Sequence, residues 1–124
     1  MNSKHPLNLA LRFLLEVIAM VGYGIWGFHQ SDTGIRILLA ISLPLGFAVF
    51  WGVFAVKGDP SRSGKTVIQT PGIVRLLLEL GLFGAAAWMM LDLDHPLMAL
   101  IFGVTVVVHY FLSFDRIAWL LKQK

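Results

Sequence analysis

Four apolar stretches alternate with polar breaks along this 124-residue chain. They run from Leu7 to about Phe28, Ile35 to about Val56, Ile73 to about Leu91, and Pro96 to about Phe114. Each is near the ~20 residues that a helix needs to cross a ~30 Å hydrocarbon layer. Polar side chains inside them fall at helical spacing. Asn8, Arg12 and Glu16 stand four apart, and Ala19, Tyr23 and Gly27 continue that face. In the fourth stretch Thr105, His109, Ser113 and Arg116 line one face. Pro44 predicts a kink in the second, and Pro96 a helix start for the fourth. Gly81, Gly84 and Ala85 to Ala87 give the third a strip on which another helix can approach closely.

The breaks are two tight loops, 29–34 and 92–95, and a longer one, 57–72, rich in Gly, Ser, Pro and basic residues. The pattern predicts an all-α polytopic membrane protein of one domain. Four transmembrane helices form an up-down bundle, with both ends on one side. After Asp115 the tail reads as the frayed end of the fourth helix at the membrane surface. Ile117, Leu120 and Leu121 lie to one side of it, and Trp119 is an interface anchor.

Composition supports this picture. Hydrophobic residues make up 57% and charged residues 14%, with a mean hydropathy of +0.77. A soluble domain of this size is nearer a quarter charged. The net charge of +3 would suggest nucleic acid in a soluble protein, but the basic residues flank the apolar runs. Nine of the ten, Lys4, Arg12, Lys57, Arg62, Lys65, Arg75, Arg116, Lys122 and Lys124, fall at the terminal and long-loop side. Only Arg36 falls on the other, so the positive-inside rule puts both termini in the cytoplasm. Lys57, Arg62 and Lys65 form a juxtamembrane segment suited to anionic lipid. The chain has no cysteine, which excludes disulfides and thiolate chemistry. The first stretch ends in Tyr23, Trp26 and Phe28 without a small-x-small site, so it is not read as a cleavable signal.

One short motif occurs twice. Arg12-Phe13-Leu14-Leu15-Glu16 superposes on Arg75-Leu76-Leu77-Leu78-Glu79 after a shift of 63 residues, and the tight loops coincide too. This predicts two copies of a two-helix hairpin running parallel. A charge inside a span is costly and must be paired or useful. Each Arg can reach its own Glu across ~6 Å of helix rise, or the four can cross into one network stapling spans one and three. The other reading is a cytoplasmic-side cavity in which a glutamate exchanges a proton or binds a cation. His109 could relay protons there, or simply be a satisfied buried histidine.

The run Asn8-Leu-Ala-Leu-Arg-Phe-Leu-Leu-Glu16, with Gly-Tyr-Gly-Ile-Trp-Gly at 22–27, resembles the YrdB-like family of small bacterial membrane proteins. Leu43-Pro44-Leu45, Trp51-Gly52-Val53-Phe54, Arg75 to Glu79 and His109-Tyr-Phe-Leu-Ser-Phe-Asp-Arg116 fit as well. The resemblance implies a four-span protein of the bacterial plasma (inner) membrane. It supplies no activity and no catalytic residue.

Other signals carry less. His29, Asp32, Asp92, Asp94 and His95 are ligand types for a divalent metal in the two tight loops, but loop polarity and helix caps explain them better. Ser63-Gly64-Lys65-Thr66 lacks the strand and the glycine spacing of a phosphate loop. Tyr23, Trp26 and Trp88 on one side, and Trp51, Tyr110 and Trp119 on the other, read as interface belts. No cofactor motif is present. The binding candidates are therefore Asn8, Arg12, Glu16, Arg75, Glu79, Thr105, His109, Ser113 and Arg116. Three functions fit: a small-solute or proton-coupled transporter or channel, acting as a homodimer so that two copies enclose a pathway; a non-catalytic partner that stabilises or regulates a larger membrane complex; and, least favoured, a lipid-modifying enzyme.

Overall fold

Pro6 sits in the first turn of α1 (Pro6–Phe28), where its missing N–H costs nothing. The His5 ring accepts a hydrogen bond from the Leu7 N–H there, at 3.2 Å. The computed structural model describes residues 3–61 and 66–124. Arg62 and Lys65 of the basic segment therefore lie outside the described residues. After α1 come α2 (Ile35–Val53), β1 (Phe54–Ala55), β2 (Ile68–Gln69), α3 (Gly72–Asp92), α4 (Pro96–Leu112) and α5 (Phe114–Leu121). The protein is predominantly helical. α1, α2 and α3 are each long and apolar enough to cross a membrane, and α4 with α5 would make a fourth, bent crossing.

The buried face of α1 is Asn8, Arg12, Leu15, Ala19, Tyr23 and Gly27. Sequence spacing put Glu16 on that face. A step of four residues overshoots a 3.6-residue turn by about 40°, so two steps from Asn8 carry Glu16 about 80° off the line. Leu15 takes the inward position, and Glu16 is only partly buried.

α1 packs along α2, α3 and α4; α3 packs along α1, α4 and α5. At the end remote from the termini, the Gly27 Cα faces the α2 backbone. A Cβ there would meet the Leu39 carbonyl oxygen at 2.8 Å, so only glycine allows this approach. The middle of the bundle is aromatic. Tyr23 meets Phe47 edge-on at 5.2 Å, Phe47 stacks on Trp51 at 5.3 Å, and Phe83 lies 5.0 Å from Trp51 and 6.0 Å from Phe102. Outward faces carry Ile37, Leu38, Ile41, Leu45 and Val49 on α2, and Leu97, Leu100, Val104, Val107 and Phe111 on α4. That much exposed apolar surface suits lipid, not water.

Two helix ends differ from those the sequence suggests. α2 continues through Pro44 but stops at Val53, not near Val56. Phe54 turns extended, and β1 pairs in parallel with β2 across the long loop, adding a small two-stranded ladder to an otherwise helical chain. The Arg75 guanidinium takes the carbonyls of Trp51 and Phe54, both at 2.6 Å. A cation thus satisfies acceptors that the end of α2 leaves open.

α4 ends at Leu112, and α5 turns away by 70°. The tail is accordingly no frayed extension. α5 packs on the start of α3, with Arg116 and Leu120 inward while Leu121 stays exposed. Gly72 makes this possible: a Cβ would lie 1.6 Å from the Leu120 carbonyl oxygen, and the Gly72 N–H donates to the Gln123 carbonyl at 3.1 Å.

Candidate functional site: a buried charge cluster at the terminal end

Where the chain termini meet the long loop, α1, α3 and α5 direct arginines, and α4 a tyrosine, at one carboxylate. Glu79 has no exposed surface. Its Oε2 accepts from Arg12 Nη2 at 2.8 Å, Arg75 Nε at 2.7 Å and Arg116 Nη2 at 2.7 Å. Its Oε1 accepts from Arg116 Nη1 at 2.9 Å and the Tyr110 hydroxyl at 2.6 Å. Every lone pair of the carboxylate is engaged, mostly by charge-assisted bonds.

Arg116 also grips Asp59 of the long loop in a bidentate pair, Nε to Oδ1 at 2.8 Å and Nη2 to Oδ2 at 2.6 Å. The Ser61 N–H and hydroxyl both donate to Asp59 Oδ1 at 2.9 Å. Burial alone would raise the Asp59 carboxyl pKa. The Arg116 hydrogen bonds and charge, with those Ser61 donors, outweigh it and hold the group below its ordinary value. Arg12 and Arg75 both lie over the Trp51 ring, at 4.9 and 4.8 Å from its centroid. A neutral polar strand continues the cluster. Arg12 Nη1 approaches His109 Nε2 at 3.4 Å, His109 Nδ1 pairs with Asn8 Oδ1 at 3.0 Å, and Asn8 Nδ2 donates to the Ser113 hydroxyl at 2.8 Å. Since Arg12 can only donate, His109 Nε2 accepts, and its Nδ1 carries the proton given to Asn8. Beyond it, the Ser3 N–H and hydroxyl donate to the Asp115 carboxylate at 3.0 and 2.7 Å, tying the start of the chain to α5.

The structure thus brings together Asn8, Arg12, Arg75, Glu79, His109, Ser113 and Arg116. It leaves out two others. Thr105 satisfies its hydroxyl on the Ile101 carbonyl of its own helix, at 2.7 Å, and not on a member of the cluster. Glu16 makes no hydrogen bond or ion pair among the described residues, although Arg12 stands four residues before it. Of the two arrangements open to the Arg/Glu motifs, Arg12 takes the crossed one, to Glu79, while Arg75 takes the local one to the same residue. The two copies of the motif therefore play unequal parts.

Three contributors were missed. Asp59 sits in Gly58-Asp59-Pro60, which looks like an ordinary turn. Tyr110 and Trp51 read as interface aromatics, yet Tyr110 is buried with its hydroxyl on Glu79, and Trp51 stacks under two guanidiniums. The one available signal was an excess of buried arginine over intramembrane acid, which demands a further carboxylate. At the opposite end, His29, Asp32, Asp92, Asp94 and His95 form no group of three or more able to hold a metal among the described residues. Asp92 instead accepts from the Trp26 indole at 2.9 Å, and His29 pairs with the Ile25 carbonyl at 2.8 Å.

Apolar helices of spanning length around a charge cluster sealed at one end define a small helical membrane protein. The chain belongs to the family described as protein of unknown function DUF2568, whose profile matches residues 10–107. It is 36% identical over 123 residues to the uncharacterized protein YrdB of Bacillus subtilis (strain 168), covering 99% of this chain and 100% of that protein. No solved structure matches.

Proposed function

We propose that this is a four-span protein of the bacterial plasma membrane, both termini cytoplasmic, acting as a non-catalytic partner within a larger membrane assembly. The observation that carries this reading is the saturation of Glu79. A carboxylate that holds three arginines and a tyrosine has no free lone pair for a travelling proton or cation. Support also comes from the aromatic filling above it, where Phe47, Phe83 and Phe102 are nearly inaccessible and offer no polar path. The polar cluster then serves as a clamp. It fixes α5, the long loop and the ends of three helices into one rigid surface at the cytoplasmic interface, and that surface is what a partner would read. A homodimer, expected so that two copies could enclose a pathway, is not required by this reading.

The test is reconstitution beside native cross-linking. Proteoliposomes should dissipate a pH gradient no faster than empty vesicles, while cross-linking in native membranes should trap a stoichiometric complex with another membrane protein. Saturable flux that Glu16→Gln or Glu79→Gln abolishes in still-folded protein would contradict the proposal and restore the transport reading.

A further inference from the structure

Next to the clamp lies a small polar cavity of about 150 Å³, lined by Arg12, Glu16, Trp51, Gly52, Ser61 and Arg75. The arginines that line it differ from the one that does not. Arg116 bonds through Nε and both terminal nitrogens. Arg75 bonds through Nε and Nη1, leaving Nη2 without a hydrogen bond among the described residues. Arg12 likewise leaves Nε unused. Both side chains are more than nine-tenths buried, at 1% and 4% exposure. Buried N–H donors are rarely left without an acceptor. The same wall carries Glu16, a carboxylate with no hydrogen bond or ion pair among the described residues.

Charge says what kind of guest fits. In the clamp, Arg12, Arg75 and Arg116 face Glu79 and Asp59, three positive groups against two negative ones. Glu16 supplies the balancing negative charge, but at a distance. A simple anion would bring a second negative charge up against Glu16, and a simple cation would face two guanidiniums. A zwitterion satisfies both. Arg12 lies six residues past Pro6, about 9 Å along the helix, near the depth where headgroups give way to acyl chains.

We propose that this cavity binds a zwitterionic group carrying a phosphate and a primary ammonium, the phosphate on Arg12 and Arg75 and the ammonium on Glu16. An aminoethyl phospholipid headgroup and a soluble aminoethyl phosphate share that chemistry. The proposal rests on reading the terminal end as the membrane interface. A topology reporter placing the termini outside, with the lipid preference below intact, would overturn that reading alone.

The experiment is native mass spectrometry of the purified protein offered equal amounts of phosphatidylethanolamine, phosphatidylcholine and phosphatidylglycerol with matched acyl chains. Wild-type protein should retain one phosphatidylethanolamine about tenfold over either competitor, the scale of one charge-assisted contact. Full N-methylation, as in phosphatidylcholine, removes the N–H donors that Glu16 needs. Glu16→Gln leaves a purely cationic wall and should shift the preference to phosphatidylglycerol, with thermal unfolding in phosphatidylcholine little changed. Displacement of the bound lipid by soluble glycerophosphoethanolamine would assign the site to the headgroup from either source; retention would assign it to the lipid. Equal retention of all three lipids by the wild type, or an unaltered preference in folded Glu16→Gln, would overturn the proposal. If the variant fails to fold, the wild-type contrast between ethanolamine and choline headgroups decides alone.

Discussion

Glu79 and Glu16 occupy matching places in a repeated motif and should behave as opposites. Glu79 has every lone pair bonded in a dry site, so Glu79→Gln leaves three guanidiniums without their common counter-charge. Breaking a buried pair in this way costs ~3–5 kcal/mol. Glu16→Gln breaks no hydrogen bond or ion pair among the described residues and should stay within ~0.5 kcal/mol. Thermal unfolding in a mild detergent measures both, and a Glu16→Gln loss equal to that of Glu79→Gln would refute the assignment. Asp59 gives a pH test. Its carboxyl is held below the ordinary value, so its contribution is complete above about pH 4 and fades as pH falls through the depressed folded value. Wild-type melting temperature should drop on acidification below that point, and Asp59→Asn should be destabilised at neutral pH with a shallower acid decline. The sequence exposed the rarity of these charges but not their pairing. The pairing turns on rotation about the helix axis, and a strict four-residue spacing misjudges that rotation by tens of degrees over two steps.

At the scale of elements, the hydrophobic pattern located the four long helices to within a few residues. It missed where α2 and α4 stop, since tertiary contacts end them. Arg75 takes the Trp51 and Phe54 carbonyls where α2 ends, and α5 folds back because Arg116 and Leu120 have buried places against α3. A tail of eight residues with one arginine and two leucines looks the same in sequence whether it lies on lipid or under the bundle. Gly72 decides between them. Gly72→Ala cannot be accommodated at 1.6 Å from the Leu120 carbonyl, so α5 should detach. A Leu120→Cys reporter, otherwise buried, should then react with a water-soluble maleimide. Gly81→Ala is the control, since nothing lies within 4 Å of its Cβ position, and it should leave the reactivity unchanged without destabilising the protein. Unchanged protection of Leu120→Cys in Gly72→Ala would mean that α5 is not seated as described.

Over the whole molecule, residues from both ends of the chain converge on one carboxylate, and the central loop joins them through Asp59 on Arg116. Composition and basic-residue placement made the membrane character and the polar end legible. Asp59, Tyr110 and Trp51 were not, because each has an ordinary local explanation, turn or interface, that only the assembled bundle replaces. α1 and α3 are locked by a crossed pair, Arg12 to Glu79, and Arg12 makes no matching pair with Glu16 of its own helix among the described residues. A double-mutant cycle measures this most directly. With Arg12→Met combined with Glu79→Gln, the coupling energy read from thermal unfolding should reach ~1–3 kcal/mol, as for contacting groups in one network. With Arg12→Met combined with Glu16→Gln it should fall within ~0.5 kcal/mol of zero. Strong coupling of Arg12 to Glu16, with none to Glu79, would contradict the account.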